Sequence, residues 1–154
     1  MSEQSRDDHG RFAASGESGT SAKDHLGKAK AHREAAQEHA QKATDHAKKA
    51  VEHKKKADVH DRVGEHAKSH EHEEKAHEHG AKAHEHAAHG EKHAEHAGHH
   101  AEAAHEKAHG ASEVLGAHAE KEGLFNLSET LASAREMATE AMQPVGLGRG
   151  GEEE

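Results

Sequence analysis

The chain has 154 residues, a hydrophobic fraction of 31% of which about two-thirds is alanine, and a formal net charge of −9 with its 22 histidines counted as neutral. Burying an alanine methyl yields about 0.8 kcal/mol, whereas ordering the backbone costs roughly 1–2 kcal/mol per residue, so a conventional globular core is excluded for the alanine-rich part. The absence of cysteine removes disulfides and thiolate metal sites, leaving nitrogen and oxygen as the available metal ligands.

Residues 1–20 are rich in Ser, Gly and Asp, carry no periodicity and no signal-peptide hydrophobic region, and are expected to form a disordered tail. The pattern changes at Ser21. Ala22, Ala29, Ala36, Ala43, Ala50 and Ala57 recur every seven residues, and His25, His32, His39, His46, His53 and His60 follow each of them by three. This places Ala at a and His at d of an uninterrupted heptad over residues 21–63, which predicts a helix that pairs through a weak Ala/His seam. Lys28, Lys42, Lys49 and Lys56 occupy the flanking g position.

The repeat loses phase near Gly64, where a kink or hairpin turn is expected. Residues 64–109 form a second, histidine-rich block with His-Glu-His triplets at His70/His72, His77/His79 and His84/His86; Gly80, Gly90 and Gly98 are expected to soften its helix. The first block is basic, with 11 Lys/Arg against 7 Asp/Glu, and the second acidic, with 5 against 10. Opposite signs favour an antiparallel helical hairpin or an intermolecular bundle.

Residues 110–143 predict short amphipathic helices: one around Val114 and Leu115, punctuated by Gly110, Gly116 and Gly123, and another opening at an Asn126/Glu129 capping box. Leu127, Leu131, Ala134, Ala138 and Ala141, bordered by Met137 and Met142, form a stripe suited either to docking and oligomerisation or to packing on the same chain. Pro144 stops the helix, and 144–154 is an acidic tail. The fold class is therefore all-α, built of elongated Ala/His heptad helices as a coiled coil or antiparallel hairpin, with disordered tails.

Spacing governs the metal chemistry. Residues seven apart on a helix rise about 10.5 Å, against Zn–N bonds of about 2.0–2.1 Å, so members of the His25–His60 row could chelate only across helices. In the second block, i,i+4 pairs at His66/His70, His89/His93, His96/His100 and His105/His109 place imidazoles on adjacent turns, the spacing of helical zinc ligands. His86/His89, His93/His96 and His96/His99 add i,i+3 pairs, and Glu85, Glu95 and Glu102 stand nearby. The candidate metal ligands are thus His66, His70, His86, His89, His93, His96, His99, His100, His105 and His109, with the best sites between His86 and His109. Imidazole and carboxylate suit Zn, Ni, Cu or Co, and no cofactor is required.

Histidines near their ordinary pKa also make the chain proton-responsive, the net charge moving from about −7 at pH 7.5 to about +11 at pH 5.5. Catalysis has little support, because no HExxH motif occurs and the serines lie in tails, turns or exposed positions. GLGRGG lacks the strand and helix of a phosphate loop, net acidity and missing aromatics disfavour nucleic acid, and no apolar run approaches a membrane span. A soluble, cytoplasmic or virion-associated chain is expected, with a homo-oligomer, another helical protein or divalent metal ions as partners.

The opening Arg6-Asp7-Asp8-His9-Gly10-Arg11-Phe12-Ala13, followed by a Ser/Gly linker and Ala/His/Lys/Glu helical repeats, resembles small proteins encoded with the head genes of tailed phages and prophages. That resemblance implies a virion-associated or assembly role for a helical, multimeric protein. The repeat region is also similar to late-embryogenesis-abundant proteins in its Ala/Lys/Glu richness, implying a stress-protective chain, and to bacterial histidine-rich nickel-storage proteins in its histidine content, implying a metal buffer. It differs from the former in repeat length and from the latter in lacking cysteine.

Overall fold

The computed structural model describes residues 20–145. These form three helices, α1 (Ala22–Arg62), α2 (His66–Glu106) and α3 (Ala111–Ala141). The 41 residues of α1 and of α2 make rods of about 60 Å. No helix among the described residues is long and apolar enough to cross a membrane. Residues 1–19 and 146–154, where most of the expected tails fall, lie outside the described residues.

α1 starts where its capping chemistry dictates. The Ser21 hydroxyl accepts the Asp24 backbone N–H, and the Asp24 carboxylate accepts the Ser21 N–H, satisfying two of the donors that a helix N-terminus leaves unpaired. The helix ends in a left-handed Gly64, φ +80°. Gly64 N–H donates to Asp61 O and Glu65 N–H to His60 O, the paired bonds of a Schellman turn. The expected break at Gly64 is therefore a hairpin turn. His60–Glu65 and His66–Asp61 contacts of 2.6 and 3.1 Å bracket it, and the buried Ser69 hydroxyl donates to the Ala57 carbonyl just beyond.

The predicted alanine row of α1, Ala22 to Ala57, is buried throughout, joined by Ala40 and Ala47. α2 answers with its own seven-residue row of small buried residues: Ser69, Ala76, Ala83, Gly90, Ala97 and Ala104. Small side chains on both partners let two long rods lie close along their whole length. α3 then runs parallel to α1 and antiparallel to α2, giving an up-down-up bundle. Its Leu127, Leu131, Ala134, Ala138 and Ala141 are all buried, so the amphipathic stripe packs on its own chain. The ion pairs Arg33–Glu120, Arg135–Glu91 and Lys121–Glu102 tie α3 to its two neighbours.

One sequence expectation differs from this architecture. Gly116 and Gly123 do not divide 110–143 into short helices; α3 is a single 31-residue helix in which Asn126 is an interior residue whose carbonyl accepts the Thr130 hydroxyl, and Gly80, Gly90 and Gly98 likewise lie inside a continuous α2. Most of these glycines mark close approach. A Cβ on Gly80 would meet Met142, on Gly90 Leu131, on Gly116 Leu26 and on Gly123 Arg33, all within 3.2 Å. The large side chains have room because those positions have none, at a helix-propensity cost of roughly 1 kcal/mol per glycine. The charge difference between the first two blocks also acts more diffusely than expected, since the cross-helix Lys/Arg pairs among the described residues all involve α3.

Candidate functional site: a histidine column between α1 and α2

The d-position histidines of α1 meet a matching row on α2. His72, His79, His86, His93 and His100 follow Ser69, Ala76, Ala83, Gly90 and Ala97 by three, the same spacing that α1 uses. In the antiparallel hairpin one heptad up α1 corresponds to one heptad down α2, so every layer brings the two rows together. His25 faces His100, His32 faces His93 and His39 faces His86, with Nδ1–Nδ1 distances of 3.2 Å. His46 faces His79 at 3.0 Å and His53 faces His72 at 3.1 Å.

Successive pairs also touch. His32 stacks on His100, His39 on His93, His46 on His86 and His53 on His79, each at a centroid distance of 5.6 Å. His60 stacks on His72 at 5.3 Å and closes the column against the Glu65 carboxylate. At the opposite end His25 Nε2 lies 2.8 Å from the Thr20 hydroxyl. Eleven half-buried imidazoles thus alternate between facing and stacked contacts along about 50 Å of the hairpin.

Each facing contact requires complementary tautomers, one ring donating from Nδ1–H and the other accepting at a bare Nδ1. Burial lowers the proton affinity of His32, His39, His46, His53, His72 and His100, and neighbouring imidazolium groups or lysines lower it further. Lys49 and Lys82 face His46, and Lys56 and Lys75 face His53. Those six rings are therefore favoured in the neutral state that coordinates metal.

The structure sorts the sequence candidates. His86, His93 and His100 are column members, and exposed His89 and His96 stand at its edge, with rings 5.4 Å from His39 and 5.3 Å from His32. His66 is drawn to Asp61 at the turn, His70 lies 3.9 Å from Glu73, and His99 lies 3.7 Å from Glu95, all exposed and away from the column. His105 and His109 are exposed near the end of α2. The ring contacts join residues of different helices; the facing partners come from α1 and not from the next turn of α2.

The column members missing from the candidate set are the α1 row together with His72 and His79. Their signal was legible: Ala76, Ala83, Ala97 and Ala104 keep the seven-residue step, and the five α2 histidines keep it with them. The outer histidines His70, His77 and His84 obscured that row. Among the described residues no three His, Asp or Glu side chains already converge as an ion site.

No family model matches this chain. No curated protein and no solved structure matches it either. The chemistry of the column is therefore the available guide to function.

Proposed function

We propose that this is a non-catalytic helical protein whose histidine column binds several divalent transition-metal ions per chain. The observation that carries the reading is the set of five facing imidazole pairs with Nδ1–Nδ1 separations of 3.0–3.2 Å. With metal–nitrogen bonds of about 2.0–2.1 Å, such a pair subtends about 91–106° at an ion, somewhat below the tetrahedral angle. Binding replaces the shared proton. The donor ring moves its hydrogen from Nδ1 to Nε2, so a neutral pair accepts an ion without a net change in protonation. Zn, Ni, Cu and Co suit an all-imidazole donor set, with Cu(II) favoured by general affinity order.

Because the seam closes within one chain, each pair is complete without a second copy, which supports a metal-buffering role over one in which ions cross-link subunits. An assembly role, as the phage-type resemblance implies, is a second reading favoured by Leu115 and Phe125, which are 67% and 66% exposed on α3. The discriminating experiment is calorimetric titration of chelator-stripped protein with Zn²⁺ at pH 7.5, coupled to light scattering. The buffering reading expects several ions per chain at the monomer mass of 16.5 kDa and a rise in thermal midpoint. A defined oligomer in chelator, with less than one ion per chain, would replace it with the assembly reading.

A further inference from the structure

The five facing pairs are alike in their own geometry but not in what stands beside them. The residue three positions after each α2 histidine lies on the flank of the column: Lys75 after His72, Lys82 after His79, His89 after His86, His96 after His93 and Ala103 after His100. At the two histidine levels the extra ring already contacts the α1 partner, His89 with His39 at 5.4 Å and 25°, and His96 with His32 at 5.3 Å and 30°. At the hairpin end the same position holds an ammonium group.

We propose that the column contains two privileged three-imidazole sites for zinc-class divalent ions, His32/His93/His96 and His39/His86/His89, and that the other pairs bind such ions much more weakly. This rests on the metal-binding reading above and assigns where on the column it is realised.

Three physical features support the ranking. A third nitrogen ligand completes the three protein ligands of an open tetrahedral site, whereas a bare pair leaves two positions to water. His89 and His96 are exposed, so the rotation that would bring their nitrogens onto an ion displaces no packed atoms. Charge separates the levels further. Lysines from both helices flank the pairs of His46 and His53, whereas at the His39 level only Lys42 approaches, and it is held by Glu38 at 2.6 Å. The corresponding α1 position beside His32 is Ala35. A dication therefore meets least repulsion at His32, which makes that site the tighter of the two.

Native mass spectrometry of the full chain titrated with Zn²⁺, with a competing chelator to set affinity, tests the assignment. The wild type should plateau at two ions before taking up more. His89→Lys combined with His96→Lys places at these levels the residue found at the hairpin end; it should abolish the plateau and weaken binding by more than the roughly tenfold that loss of even an outer-shell partner costs. Lys75→His with Lys82→His should extend the plateau to four. Circular dichroism should give the same helicity for all three proteins, since the substituted positions are exposed. Uptake of five ions in one affinity class, or a two-ion plateau that survives in the His89/His96 variant, would overturn the assignment while leaving the metal reading intact. Failure of the wild type to bind zinc would overturn both.

Discussion

The Cδ2 atom of Leu131 lies 2.7 Å from the point at which Gly90 would carry a Cβ, and the Cβ of His39 lies 3.4 Å from the same point. Gly90 is thus where all three helices meet: its missing side chain seats the most deeply buried large residue of α3 directly behind a histidine of the column. Gly90→Val should destabilise the protein by about 1–3 kcal/mol, because Leu131 is enclosed and the extra volume has nowhere to go. Urea denaturation read by circular dichroism measures it, and an unchanged midpoint would mean that α3 is not seated as described.

Other helical glycines should behave in the opposite way. A Cβ on Gly27 would meet no neighbouring group within 4 Å, and one on Gly98 only Leu124 at 3.9 Å. Gly27→Ala and Gly98→Ala should each stabilise by up to about 1 kcal/mol through helix propensity. Gly64→Ala should destabilise by about 1–2 kcal/mol, because alanine at φ +80° clashes with its own backbone. Thermal midpoints of the three variants, compared with wild type, check the ordering.

Acid should loosen the bundle in a defined window. Burial depresses the folded-state pKa of His32, His39, His46, His53, His72 and His100, while in the unfolded chain they titrate near the ordinary histidine value of about 6.5. The unfolded state therefore binds more protons as pH falls through that value. Their contribution is fully present above about pH 6.5 and is lost progressively as pH falls through the depressed folded values, by up to about 1.4 kcal/mol per pH unit for each proton of difference. Glu38, Glu65, Glu71 and Glu78, whose pKa values are lowered first by hydrogen bonds to lysine, lose their smaller contribution only in the carboxylate range below. Unfolding free energies at pH 7.5, 6.5 and 5.5 should fall in that order; a flat profile would contradict the burial of the column.

Replacing one facing pair with leucine separates the cost of a polar seam from its use. His46→Leu with His79→Leu exchanges a neutral imidazole pair, whose hydrogen bond contributes roughly 0.5–1.5 kcal/mol, for apolar burial of comparable volume. The double variant should gain about 1–3 kcal/mol at pH 6, show a shallower dependence of stability on pH, and keep the two tight zinc ions. Loss of stability at every pH would show that the imidazole contact outweighs apolar packing at this level.

The helical character of 21–63 and 64–109, a break at Gly64, the buried alanine row of α1 and the amphipathic stripe of α3 were legible locally, since each depends on periodicity or capping within one segment; that the break is a hairpin and that α3 is a single helix were not. Ala22 to Ala57 and Leu127 to Ala141 announce their buried faces through spacing alone. The tertiary structure decided two things that no local pattern contains. Whether a glycine weakens a helix or seats a neighbour depends on what lies across from it, and only packing places Leu131 over Gly90 and Leu26 over Gly116. Likewise a row of histidines seven apart has no partner within its own helix, because a heptad rise far exceeds a metal–nitrogen bond. The register of the folded hairpin, set by small residues meeting small residues, brings His32 to His93 and His39 to His86 and turns two separate rows into one column.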